Sequence, residues 1–206
     1  KALYTKMDFL FKMIGEILNS SKLEDTKRLY EIVASVKSRA QVNLTGAGHS
    51  TAVLRAAAYS SPMAAFQDEM AGIGYYQFIE KLEKDFEQRK EETVEELCKL
   101  MKKILRPENF MISYTGERES LETVQKLAGA VKAGLGTEPV EKSEEKLTCT
   151  KKNEGFKTSG QVQYVAQTGN FKKKGLEYTG ALEILKVILS YDYLWMNLRV
   201  KGGAYG

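Results

Sequence analysis

The chain has 206 residues, of which 43% are hydrophobic and 28% are charged, a composition typical of a globular protein and not of a disordered one. The 31 basic and 27 acidic residues give a formal net charge of +4, and they are too evenly mixed to favour nucleic-acid binding. No apolar run reaches the roughly 18 residues of a membrane-spanning helix, so we expect no membrane partner.

Helices are predicted through most of the first 105 residues. Apolar side chains recur at helical spacing in 8–19, and Ser21 with Glu24 matches a capping box that would begin a second helix running to about residue 44. A helix rich in small residues is predicted over 51–60. The helical pattern resumes at 75–105, where the sequence allows either one helix or two.

The second half of the chain mixes predicted strands with helices. The segments 109–116, 147–150 and 161–167 are rich in β-forming residues or alternate apolar with polar residues, which predicts three strands. Helices are expected at about 120–135 and 176–198. Between them, 136–146 combines glycine, proline and charged residues without apolar periodicity, which predicts a linker between a domain at 1–135 and a second at 147–206.

The predicted second domain is small. It has about 60 residues and few elements, and a domain of this size buries only a modest fraction of its surface. We therefore expect the chain to be a fragment of a longer protein.

Cysteine and histidine counts limit the possible chemistry. Two cysteines, Cys98 and Cys149, provide no disulfide framework and favour a reducing compartment. His49 is the only histidine, whereas a catalytic zinc commonly uses two or more histidines among its ligands. We therefore expect no metal site in this chain.

The chain closes on "RVKGGAYG", residues 199–206, directly after the predicted apolar helix. Arg199 and Tyr205 could both donate hydrogen bonds to a carbonyl oxygen that gains negative charge in a reaction. Gly202 and Gly203 would let a peptide backbone approach closely. The same residues also fit a structural role, with a cation at a helix end, glycines that end the helix, and a tyrosine in the core.

Three segments of the chain resemble the presequence-protease branch of the pitrilysin/insulinase-like zinc metallopeptidases, the M16 family. They are "AAAYSSPMAAFQDEMAGIGYYQFI", "SGQVQYVAQTGNF" and "ILSYDYLWMNLRVKGGAYG". The resemblance implies an α+β fold of α/β-roll domains, each an antiparallel sheet with packed helices. Residues 1–135 would be the C-terminal part of a third, helix-rich domain, and 147–206 the N-terminal part of a truncated fourth domain.

The resemblance also implies a function. The full-length protein would be a zinc metalloendopeptidase that hydrolyses short unfolded peptides in a bacterial cytoplasm or an organellar matrix. Zinc would be bound by the upstream half of the polypeptide, so that this fragment would be inactive alone. Arg199 and Tyr205 would be catalytic, Lys201, Gly202 and Gly203 would bind the substrate, and the partners would be the peptide and the N-terminal half of the same chain.

Two other functions remain open from the sequence. The first is a metal-free structural or assembly protein derived from the same fold. The second is a polyanion-binding module that uses Lys151, Lys152 and Lys172 to Lys174, although no aromatic residues alternate with the lysines.

Overall fold

The structure is a computed structural model that describes residues 2–140 and 146–204. Within these ranges the chain folds into eight α-helices, the last of which continues as a π-helix. The α-helices are α1 (Met7–Ser20), α2 (Thr26–Gly46), α3 (Gly48–Ala58), α4 (Pro62–Ala71), α5 (Ile73–Lys84), α6 (Phe86–Ile104), α7 (Leu121–Ala133) and α8 (Ala181–Ile188), and the terminal π-helix is Leu189–Lys201. Short 3-10 turns lie at Tyr4–Lys6, Pro107–Asn109, Arg118–Ser120 and Phe171–Lys174.

The predicted α+β class, with its antiparallel sheet of α/β-roll domains, is wrong for this chain. Between residues 2 and 140 and between 146 and 204, no strand or sheet forms, and the three segments predicted as strands lie in irregular structure. β-forming side chains make a strand only when a neighbouring strand accepts and donates its backbone hydrogen bonds. Phe110 is extended, with φ −89° and ψ 114°, but its ring packs against helices instead of joining a sheet.

Most of the predicted helices are present, with changes at their ends. The predicted capping box is wrong: α2 begins after Asp25, whose carboxylate accepts a hydrogen bond of 2.9 Å from the backbone amide of Arg28. Ser21 instead donates its hydroxyl to the carbonyl of Ile17 at the end of α1. Asp85 separates the predicted 75–105 segment into α5 and α6.

Two separate apolar clusters hold the helices together. In the first, Phe11 of α1 packs against Val124 and Val131 of α7, and Phe110 and Tyr114 cover it. The second joins α2, α5 and α6 through Val33, Ile79 and Phe86. Phe86 is 1% exposed, and its ring centroid lies 5.4 Å from that of Tyr30. Helices pack by burying one apolar face each, so these clusters hold α1 against α7 and join α2, α5 and α6.

The C-terminal helix differs from the others because none of its described residues is buried. Along α8 and the terminal π-helix, large apolar side chains are exposed, among them Ile184, Tyr191, Trp195 and Val200. Within the described part of the chain, no helix is long and apolar enough to cross a membrane. The domain boundary at 136–146 stays a prediction, and residues 141–145 of it lie outside the described residues.

Replacing Phe86 with alanine tests the second cluster. Removing a fully buried aromatic ring leaves a cavity, so we expect the free energy of unfolding to fall by about 3 to 5 kcal/mol. Urea unfolding of the purified chain measures the change. Phe78→Ala is the matched control, because Phe78 is 59% exposed on α5 and its loss should change stability by less than about 1 kcal/mol. Equal effects of the two substitutions would contradict this description of the core.

Candidate functional site

The backbone at the end of the terminal π-helix explains both glycines of the closing motif. A side chain at Gly202 would place its Cβ 2.7 Å from the carbonyl oxygen of Leu198, which is too close. Gly203 has φ +68°, in the left-handed region that glycine adopts readily, and the amide of Ala204 donates to the Leu198 carbonyl at 2.9 Å. The glycines therefore end the helix, and their predicted contact with substrate stays a prediction.

Arg199 lies on the last turn of the same helix. Its guanidinium carbon is 4.5 Å from the centroid of the Trp195 ring, close enough for a cation–π interaction. Together with Ser190, Leu194 and Leu198, these two side chains line a shallow open groove along the helix. A positive charge is favoured at this position, because the carbonyl groups at a helix C-terminus carry partial negative charge.

The other predicted site residues are only partly located. Lys201 is exposed at the end of the helix, in the same last turn as Arg199. Tyr205, predicted to act with Arg199, lies outside the described residues. The catalytic role of Arg199 and Tyr205 therefore stays a prediction.

The described residues do not fit a bound metal ion. Across 2–140 and 146–204 there is no group of three or more histidine, cysteine, aspartate or glutamate residues that could act together as ligands. His49 instead lies beside Tyr164, with a centroid distance of 6.1 Å between the two rings.

A second polar site, which the sequence analysis missed, is centred on Arg55 of α3. Its Nη1 donates to Asp68 at 2.6 Å, while Nε and Nη2 donate to the two carboxylate oxygens of Glu154 at 2.8 and 3.2 Å. Tyr59 donates its hydroxyl to Glu154 as well, and the rings of Tyr59 and Phe156 lie 5.6 and 5.8 Å from the guanidinium carbon. We call these five residues the Arg55 cluster.

Asp68 is the buried member of the Arg55 cluster, with 1% of its surface exposed. Its carboxylate accepts hydrogen bonds from the backbone amides of Ile73 and Gly74, at 3.0 and 3.1 Å, at the start of α5. A Cβ at Gly74 would lie 2.9 Å from this carboxylate, so the glycine leaves the space that the aspartate occupies. Asp68 thus connects Arg55 to the junction between α4 and α5.

The pKa values of the Arg55 cluster follow from these contacts. Hydrogen bonds from Arg55 lower the pKa of Glu154, and the bonds to Glu154 and Asp68 raise the pKa of Arg55 despite its partial burial. Burial, followed by the hydrogen bond to Glu154, raises the pKa of Tyr59. Glu154 and Arg55 are therefore both charged at neutral pH. No sequence signal identifies this site, because Arg55 and Glu154 are 99 positions apart.

Comparison with known proteins gives matches over part or all of the chain. Residues 1–82 match a family model described as associated with the M16 peptidases of subfamily C. Protein HypA of Clostridium perfringens (strain 13 / Type A) is 36% identical over 206 residues, which is all of this chain and 21% of that protein. Presequence protease 1, chloroplastic/mitochondrial, of Arabidopsis thaliana is 27% identical over all of this chain and 19% of its own length.

A third relative is also similar over the whole chain. The mitochondrial presequence protease of Yarrowia lipolytica (strain CLIB 122 / E 150) is 26% identical over all of this chain and 21% of that protein. The chain thus spans about a fifth of the length of the curated relatives that it matches.

Acidification tests the Arg55–Glu154 ion pair. The pKa of Glu154 in the folded chain lies below its usual value of 4.5, so the pair stabilises the fold above that value and loses its contribution as the pH falls through the lowered pKa. We expect the difference in free energy of unfolding between wild type and Glu154→Gln to be largest at neutral pH and to shrink in acid. Urea unfolding across the acidic range measures it, and a difference that does not change with pH would contradict the assignment.

Proposed function

We propose that the chain is the substrate-binding part of a zinc-dependent M16 peptidase that hydrolyses short unfolded peptides, because residues 1–82 match an M16-associated family model and the whole chain is similar to presequence proteases. The observation that carries the proposal is the position of Arg199, on the last turn of an exposed apolar helix and beside a glycine turn. In this proposal the guanidinium of Arg199 and the hydroxyl of Tyr205 donate to a substrate carbonyl oxygen as it becomes negatively charged. Lys201, Gly202 and Gly203 contact the peptide next to that carbonyl.

The exposed C-terminal helix supports the idea that this chain works inside a larger molecule. A helix normally buries its large apolar side chains against a neighbour, yet α8 and the terminal π-helix have no buried residue. Large exposed apolar patches mark surfaces that another protein part covers. The N-terminal half of the same polypeptide is the partner we propose, because the relatives are about five times as long as this chain.

The proposed zinc is bound by that upstream half. The described residues of this chain provide no group of three ligands, so its contribution is limited to positioning and charge. We place the full-length protein in a bacterial cytoplasm or an organellar matrix. Two relatives are named for mitochondria, or for chloroplasts and mitochondria, which supports an organelle for those proteins.

Substituting Tyr205 with phenylalanine in the full-length protein tests the catalytic role. Losing one hydrogen-bond donor to a developing oxyanion typically reduces kcat on the order of a hundredfold or more, and we expect a loss of that size. Cleavage of a short fluorogenic peptide measures the rate. Tyr191→Phe is the matched control, because it makes the same change at a 71% exposed position of the terminal π-helix. Unchanged kcat in the Tyr205 variant would reject the role.

Metal removal tests whether peptide cleavage depends on a zinc ion that the other half of the protein binds. We expect a chelator to abolish peptide cleavage by the full-length protein and added zinc to restore it. The purified 206-residue chain should bind no stoichiometric zinc in elemental analysis and cleave nothing. Cleavage that survives the chelator would contradict the metal-dependent proposal. A full-length protein without any peptidase activity would favour the alternative, a metal-free structural or assembly protein.

A further inference from the structure

Residues 147–170, which we call the arm, lie against α3 at three places. Glu154 and Phe156 contact Arg55 in the last turn of α3, and Glu154 also contacts Tyr59, which directly follows the helix. The ring of Tyr164 then packs directly against Gly48 at the start of α3, where a side chain on residue 48 would overlap it.

The third contact lies just after the C-terminal end of α3. There, Asn170 donates its side-chain amide to the carbonyl of Ser60 at 3.2 Å. The arm therefore runs along α3 to its start and comes back, and all three contacts involve the same short stretch, residues 48–60.

Apart from these contacts the arm is held weakly. Its apolar residues Val162 and Val165 are 64% and 85% exposed, and among the described residues no backbone hydrogen bond joins the arm to the helices. Segments with few buried apolar contacts and no backbone pairing open at a small cost in free energy. The strongest of the three contacts is therefore the one that decides whether the arm stays in place.

That contact is the bidentate ion pair between Arg55 and Glu154. Their side chains are 15% and 25% exposed, so the pair is shielded from water more than the surface pairs on the helices. Paired, charge-assisted hydrogen bonds are stronger than neutral ones. The buried carboxylate of Asp68 holds Arg55 in turn, so that Arg55 keeps its position on α3 when the arm detaches.

We propose that the Arg55 cluster is a clamp that holds the arm on α3, and that release of Glu154 lets the arm detach while the helices stay folded. The arm leads through the turn Phe171–Lys174 into α8 and the terminal π-helix. The clamp consequently restrains the start of the helical segment that carries Arg199. This device is independent of the peptidase activity proposed above.

Thiol labelling tests the clamp in the full-length protein, since one native cysteine of this chain lies in the arm and the other lies away from it. Cys149 is a half-buried thiol in the arm, and Cys98 is a half-buried thiol in α6. Glu154→Ala removes the arm side of the clamp and leaves the Arg55–Asp68 pair in place. We expect iodoacetamide to modify Cys149 about tenfold faster in this variant, the change that loss of charge-assisted hydrogen bonds produces. Peptide mass spectrometry follows each cysteine separately.

Glu83→Ala is the matched control. It removes a carboxylate whose side chain is 19% exposed and which pairs with Lys37 between α2 and α5, away from the arm. The control should leave the labelling rate of Cys149 unchanged, and Cys98 should react at the wild-type rate in both variants. An unchanged rate at Cys149 in Glu154→Ala, or an equal increase at Cys98, would overturn the proposal. Trypsin cleavage after Lys152 in the arm should increase in parallel.

Discussion

The buried carboxylate of Asp68 is the constraint on which the middle of the structure depends. A buried charge is costly unless every lone pair has a partner, and Asp68 accepts from two backbone amides of α5 and from the guanidinium of Arg55. These partners fix the bend between α4 and α5 and hold Arg55 in one position. Because Arg55 also binds Glu154, a single buried acid determines where the distant arm can attach.

Apolar packing stabilises the rest of the chain in two small clusters instead of one large core. One connects α1 with α7, and the other connects α2 with α5 and α6. Many large apolar side chains are left exposed, most densely on the C-terminal helix. Exposed apolar patches of this kind mark surfaces that another protein part covers.

The closing motif combines structural and proposed chemical roles in the same residues. Gly202 and Gly203 satisfy the geometry of the helix end, and Arg199 is placed by the ring of Trp195. In the function we propose, the helix end places Arg199 where this chain meets the N-terminal half of the polypeptide.

The sequence by itself determined the helices whose apolar residues recur at helical spacing, such as α1, α7 and the pair α5–α6, because that periodicity is a local property. Three sequence segments also led to a resemblance to the M16 peptidases, which agrees with the family-model match over residues 1–82 and with the similarity to presequence proteases. The tertiary structure decided what depends on distant partners. The segments around Phe110 and Tyr164 have β-forming residues, yet they remain unpaired in the described chain because a strand needs a neighbour that local sequence does not specify. Arg55 and Glu154 also meet only in the folded chain, because they are 99 positions apart in the sequence. Their attraction depends on their distance in space and not on their separation along the chain.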